Sequence, residues 1–137
     1  MKPKYLEKSF TRTLSFERQQ QYAEIHLLKK QKEKQEKIKN SFMAYVKEMW
    51  PEFIECRHHK EIADKFDKIA QGKIKRLIIN MPPRHTKSEF ASFLLPSWMV
   101  GRKPDLKIIQ TTHTTELAIR FGRKAKTLID SPESVSY

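Results

Sequence analysis

The chain has 137 residues, and its 28 Lys and Arg against 16 Asp and Glu give a formal net charge of +12, which predicts attraction to polyanions. Its single cysteine, Cys56, excludes an internal disulfide and any zinc site built from several cysteines, and suits a reducing cytoplasm. No apolar run approaches the ~18 residues of a membrane span, and the N-terminus lacks the apolar run of a signal sequence. We therefore expect a cytoplasmic protein that neither crosses a membrane nor enters the secretory route.

Residues 1–40 are predicted to form a basic arm. They hold eleven Lys or Arg and five Glu. Residues 1–15 show no periodicity and are expected to be disordered or loosely tethered, whereas the composition from Phe16 to about Lys39 favours a helix with few apolar positions after Leu28. Two interpretations stay open: a solvated helix that keeps the chain soluble, or an arm that contacts a polyanion or a partner subunit.

Two helices with one apolar face each follow the arm. Ser41 is a candidate N-cap for the first, which Pro51 stops, and its face is formed by Phe42, Tyr45, Val46 and Met49. The second is expected from about His59 to Gln71, with Gly72 as its C-terminal cap and a stripe of Ile62, Phe66 and Ile69.

Residues 76–89, RLIINMPPRHTKSE, predict a buried strand, a phosphate-binding turn and a helix. The apolar run at residues 77–79 does not alternate, which is typical of a strand covered on both faces. Lys87 and Ser88 then occupy the last two places of the pattern G-x-x-x-x-G-K-[ST], in which lysine meets the β and γ phosphates and the hydroxyl reaches Mg²⁺. The sequence therefore predicts a site for a nucleoside triphosphate.

The match to this pattern is incomplete, because Met81 and Thr86 hold the two glycine places. Glycine is usual there since the loop needs positive φ, which costs a β-branched residue about 1–2 kcal/mol. The alternative is a Pro-Pro turn between a strand and an ordinary helix, with Lys87 solvated.

The remaining chain predicts a second strand and two more helices. The helix after the turn is expected to be kinked or interrupted at Pro96 and to end at Gly101. Residues 106–111 predict a second buried strand, and Thr114 or Thr115 caps a last helix carrying Leu117, Phe121, Ala125 and Leu128. The expected fold class is α/β: part of a P-loop NTPase of the ASCE or RecA-like kind, with a parallel sheet and helices in residues 41–137, preceded by the basic helical extension.

Residues 50–130 resemble the N-terminal part of the ATPase domain of large terminase subunits, the DNA-packaging motors of tailed bacteriophages. The resemblance is carried by WPEF at 50–53, RHH at 57–59, RLIINMPPRHTKSEF at 76–90 and KIIQTTH at 107–113. It implies an ATPase that uses ATP and Mg²⁺ to move double-stranded DNA into a prohead. The partners it implies are the portal protein, the small terminase subunit and further copies in a ring, within the cytoplasm of an infected cell.

The resemblance also gives roles to individual residues. Lys87 would neutralise β and γ oxygens, Ser88 would hold Mg²⁺, and Arg84 would add charge stabilisation during transfer. Nucleotide contacts are expected from Pro83, Arg84, His85, Thr86, Lys87 and Ser88, with His58 and His59 in a base-recognition segment. Alternatives stay open for each: a surface Arg84 that answers Glu89, a His85 that only shapes the turn, and a polar helix start at residues 57–59 with one His capping.

No apolar run in the chain ends in the acidic pair that a P-loop ATPase needs to hold Mg²⁺ and orient water. We therefore expect an N-terminal piece of the motor, without its second metal-binding strand or a nuclease domain, that does not hydrolyse ATP alone. Two other functions stay open: a non-catalytic basic DNA-binding or adaptor protein, and another P-loop translocase such as a helicase.

Overall fold

The computed structural model describes residues 16–130, which form helices joined by turns and segments without regular secondary structure. In chain order the helices are α1 (Phe16–Asn40), α2 (Phe42–Met49), α3 (Arg57–Ala70), the short α4 (Lys87–Glu89), α5 (Leu95–Arg102) and α6 (Thr115–Ile129). A π-helical segment, Phe90–Leu94, joins α4 to α5 without a break.

The chain divides into two compact units, Met1–Lys34 and Gln35–Tyr137. The described part of the first unit belongs to α1, which exposes most of its side chains, including Ile25, Leu27 and Leu28. None of the helices in residues 16–130 is long and apolar enough to cross a bilayer. The expectation of irregular structure in residues 1–15 lies outside the described residues.

The core of the second unit is built around Phe42, the first residue of α2. Its side chain is 0% exposed, and its ring meets Phe66, Phe90 and Trp98 edge to face at centroid distances of 5.0, 5.4 and 5.4 Å. Aromatic pairs in this geometry add ~0.5–1.5 kcal/mol each beyond the area they bury. One ring thus joins α2 to α3, to the π-helical segment and to α5.

Helix ends follow the predicted caps. The Ser41 hydroxyl accepts from the amide of Ala44 at 3.5 Å, and the Thr114 hydroxyl accepts from that of Leu117 at 3.3 Å. At the end of α3, Gly72 has φ +75°, and the amides of Gly72 and Lys73 donate to the carbonyls of Ile69 and Lys68. This pair of bonds is a Schellman motif, so the cap predicted at Gly72 is confirmed.

The predicted parallel sheet is wrong for the part of the chain that the structure describes. Residues 77–80 and 106–111 have no regular secondary structure, and no strand pairing joins them to each other or to any other segment within residues 16–130. The architecture there is helical, and an α/β fold of the P-loop kind is not observed.

The side chains of these two segments show why the strand prediction fails. Leu77 and Ile79 pack against the core, whereas Ile78 is 87% exposed and Ile109 is 92% exposed. A parallel strand is covered on both faces and paired along its edges, but residues 77–79 have core contacts on one side only. An uninterrupted apolar run predicts two covered faces, and in residues 77–79 only one is covered.

The helix continues through Pro96, where the sequence predicts a kink or an interruption. A proline has no amide hydrogen, so Pro96 cannot donate to the carbonyl four residues earlier, that of Ser92. The π-helical segment lies over this defect, and the side-chain amide of Gln110 donates to the Ser92 carbonyl at 3.1 Å. A side chain from residues 106–111 therefore donates to a carbonyl of the helix that follows the turn.

Candidate functional site

The backbone of residues 81–88, called here the 81–88 turn, enters the left-handed region twice. Arg84 has φ +65° and Thr86 has φ +57°, ψ +4°. Thr86 stands where the nucleotide-binding pattern has its second glycine, and the backbone there has the sign of φ for which glycine is favoured. Such a conformation costs a β-branched residue about 1–2 kcal/mol, so other contacts must hold it.

The Lys87 side chain reaches back across the turn. It is half-buried, and its ammonium donates to the carbonyl of Met81 at 3.4 Å. This contact bridges the two ends of the turn. The alternative of a solvated Lys87 pointing away from the turn does not describe this geometry.

Two hydrogen bonds inside the turn shape its middle. His85 Nδ1 lies 2.9 Å from the Pro83 carbonyl, and since a carbonyl only accepts, Nδ1 carries the proton and donates. The Thr86 hydroxyl donates to the His85 carbonyl at 2.7 Å. His85 therefore orders the backbone through its own ring.

His59 connects the 81–88 turn to the first turn of α3. The backbone amide of Cys56 donates to Nδ1 of His59 at 3.1 Å, and Nε2 lies 2.6 Å from the Thr86 hydroxyl oxygen. Because that hydroxyl gives its one proton to the His85 carbonyl, its oxygen accepts from Nε2–H. This set of bonds is complete only for a neutral His59 protonated at Nε2.

The surroundings of His59 also favour the neutral ring. The residue is 5% exposed and lies against the rings of Phe53 and Phe90 at 4.8 and 5.2 Å. Burial, followed by the nearby His58, lowers the pKa of His59 from its ordinary value of 6.5, while Glu55 opposes that shift. At neutral pH the ring is therefore uncharged.

The two residues before His59 are more accessible. His58 is half-buried, with its ring 3.9 Å from that of His59 and 5.8 Å from that of His85, whereas Arg57 is exposed and pairs with Glu61 one turn on. Both ring nitrogens of His59 are already used within the protein. Of the two predicted base-recognition histidines, His58 is the one with a more accessible ring.

An ion pair that the sequence did not indicate fixes the helix after the turn. The Lys124 ammonium lies 3.0 and 3.1 Å from the two carboxylate oxygens of Glu89 and 5.4 Å from the centroid of the Phe93 ring. Glu89 therefore forms its ion pair with Lys124 of α6, and not with Arg84. No local sequence pattern connects residues 35 positions apart, so the sequence does not predict this ion pair.

The donors at the turn suit a triphosphate. Arg84, Lys87 and Ser88 lie within five consecutive residues, and Arg84 and Ser88 are exposed. A guanidinium, an ammonium and the amides of a backbone with two left-handed residues are groups that bind phosphate oxygens, and a hydroxyl is a ligand suited to Mg²⁺. Within residues 16–130 no cluster of three His, Cys, Asp or Glu forms a protein-only metal site.

The end of residues 106–111 lies against the π-helical segment that follows the turn. Gln110 contacts Ser92, the Thr112 hydroxyl donates to the Thr114 carbonyl at 2.7 Å, and His113 is exposed. These residues precede α6, the helix that carries Lys124. The segment contacts a helix, and it does not form a sheet edge within residues 16–130.

No protein-family model, curated protein or solved structure matches the chain.

Proposed function

We propose that the 81–88 turn binds the phosphates of Mg²⁺-ATP. The observation that carries this proposal is the left-handed Thr86 immediately before a lysine whose ammonium crosses the turn. A bound triphosphate takes the place of the Met81 carbonyl as the partner of Lys87, and the exposed Ser88 hydroxyl is the ligand for Mg²⁺. The metal ion, when bound, neutralises charge on the β and γ oxygens.

Beyond binding, we propose that the chain is the ATP-binding part of a phage terminase large subunit, the motor that moves double-stranded DNA into a prohead. The resemblance of residues 50–130 supports this, together with the net charge of +12. In this role the partners are DNA, the portal protein, the small terminase subunit and further copies of the motor, in the host cytoplasm. The turn carries this proposal, and no sheet is observed within residues 16–130.

Mg²⁺-dependent ATP binding tests the first step of this proposal. We expect calorimetry to show binding in the presence of Mg²⁺, and we expect Ser88→Ala to lose most of the gain that Mg²⁺ provides, about tenfold in affinity, because the metal loses one oxygen ligand. Ser88→Thr keeps the hydroxyl and is the matched control. A wild-type chain that binds no ATP with or without Mg²⁺ would exclude the site.

Binding to double-stranded DNA is expected to weaken linearly on a plot of log affinity against log salt concentration. Deleting residues 1–34, which hold nine Lys or Arg and four Glu, is expected to flatten the slope if the arm contacts phosphates. The deletion stops before Gln35 because Ile38 belongs to the core of the second unit and its carbonyl accepts from the Trp98 indole at 2.9 Å. An unchanged slope would rule out the arm as the main DNA contact.

A further inference from the structure

His59 is the one point within residues 16–130 at which a buried histidine bonds to the 81–88 turn. Its Nε2 holds the Thr86 hydroxyl, and its Nδ1 holds the Cys56 amide at the start of α3. The residue that receives this bond, Thr86, is also one of the two left-handed residues of the turn. A strained conformation persists only where its surroundings fix it, and His59 supplies that restraint from another helix.

The restraint depends on the charge of the ring. Protonation adds a hydrogen at Nδ1, which faces the Cys56 amide hydrogen at a distance that suits only a donor and an acceptor. Two donors then oppose each other, and the ring must turn or leave its place. Either movement withdraws Nε2 from Thr86.

The groups around His59 come from every element packed against it. Phe53, before α3, and Phe90, in the π-helical segment, offer apolar ring surfaces with no charge to stabilise an imidazolium. His58 on α3 and His85 in the turn disfavour a charged His59 ring, while the Glu55 carboxylate before α3 favours it. Glu55 is itself paired with Lys47 at 2.6 Å and Lys60 at 4.0 Å, which reduces its support for a charged ring.

We propose that neutral His59 is a positioning residue that holds Thr86, and with it the 81–88 turn, in the conformation that receives phosphate, and that protonation of His59 releases the turn. The use of this release as a control on nucleotide affinity rests on the proposed function. The hydrogen-bonding role itself does not, because it is a property of the nucleotide-free chain.

The direction of the pH effect follows from the ring. A histidine whose pKa is lower in the folded protein than in the unfolded one contributes its full stabilisation above the unfolded value of 6.5 and loses it as pH falls below that value. The turn is therefore held at pH 7.5 and released as the medium is acidified toward pH 5. Nucleotide affinity follows the same course.

Amide hydrogen exchange on the nucleotide-free chain tests the positioning role directly. The Phe90 amide donates to the Thr86 carbonyl at 3.0 Å and reports on the turn, while the Trp50 amide donates to the Val46 carbonyl at 2.8 Å and reports on α2. Protection factors, which remove the intrinsic pH dependence of exchange, are compared at pH 7.5 and 5.5. We expect protection at Phe90 to fall about tenfold on acidification relative to Trp50.

Two substitutions separate the hydrogen bond from the packing. His59→Gln supplies an amide donor that does not titrate, and we expect it to remove the pH dependence while keeping Phe90 protected. His59→Phe keeps a ring between Phe53 and Phe90 and removes both hydrogen bonds, so low protection at Phe90 is expected at both pH values. His26→Gln, at an exposed histidine on α1, is the matched control and retains the wild-type response.

The outcomes test the positioning role of His59 separately from the proposed binding of Mg²⁺-ATP. A pH response at Phe90 that persists in His59→Gln, or that Trp50 shares equally, would overturn the positioning role. If the response requires His59 but the wild-type chain binds no Mg²⁺-ATP at pH 7.5, the positioning role stands and the proposed function is wrong. If both hold, ATP affinity of the wild type falls about tenfold between pH 7.5 and 5.5, and that of His59→Gln stays constant.

Discussion

Replacement of Lys87 by alanine is expected to lower the affinity for Mg²⁺-ATP about a hundredfold. The ammonium is the charged group that reaches across the 81–88 turn, and a charge-assisted bond to phosphate is worth up to about 3 kcal/mol, which corresponds to two orders of magnitude in affinity. Titration calorimetry or fluorescence with a labelled nucleotide measures the change. Unchanged affinity would exclude the turn as the phosphate site.

The Lys87 contact with the Met81 carbonyl requires a second variant, because alanine also removes a structural bond. Lys87→Gln keeps a donor for that carbonyl and removes the charge. If charge is what binds ATP, glutamine loses nearly as much affinity as alanine. Lys75→Ala, at an exposed lysine before residues 77–80, is expected to leave the ATP affinity within about twofold at moderate salt, because the charge of Lys75 is screened by solvent.

The largest loss of stability is expected for Phe42→Ala, at about 3–5 kcal/mol in the free energy of unfolding. The substitution removes the ring at the centre of three edge-to-face contacts and leaves a cavity between α2, α3 and α5. Because the total stability of a domain is about 5–15 kcal/mol, a large share of it is lost. Chemical denaturation followed by circular dichroism measures the shift.

Two comparison variants separate this cavity from general loss of apolar surface. Phe42→Leu fills most of the volume and is expected to cost about 1–1.5 kcal/mol. Ile109→Ala removes a large side chain that is 92% exposed and is expected to stay within about 0.5 kcal/mol of the wild type. Equal losses for Phe42→Ala and Ile109→Ala would show that the ring is not the centre of the core.

The helices of the second unit were predictable because the signals that define them are local. Ser41, Gly72 and Thr114 each act within three or four residues of the helix end that they cap. The apolar spacing of α2 and α3 also names the faces that are buried, since Phe42, Val46 and Phe66 all lie in the core. Periodicity and capping need no knowledge of the rest of the chain.

The sheet could not be judged in the same way. A strand is defined by a hydrogen-bonded neighbour that lies elsewhere in the sequence, and an apolar run such as residues 77–79 carries no information about whether that neighbour is present. In this structure the run has no regular secondary structure: Leu77 and Ile79 pack against the core, while Ile78 is exposed. The prediction of a buried strand at these residues was wrong.

In the candidate site, too, local features could be predicted and contacts between distant residues could not. The position of the turn and the adjacent Lys87 and Ser88 follow from a short sequence pattern, and the left-handed backbone at Thr86 follows from the glycine place that it fills. The bond from His59 spans 27 positions, and the ion pair of Lys124 with Glu89 spans 35. Contacts at these separations depend on how the helices pack, which a local pattern does not encode.

The hydrogen bond from the Gln110 side chain to the Ser92 carbonyl connects the chain before α6 to the π-helical segment. Displacement of the chain before α6 removes this donor from the Ser92 carbonyl, and a hydrogen bond of this kind is worth about 0.5–1.5 kcal/mol. A shift of either segment therefore costs about that free energy unless the other segment, eighteen positions away in the chain, moves with it.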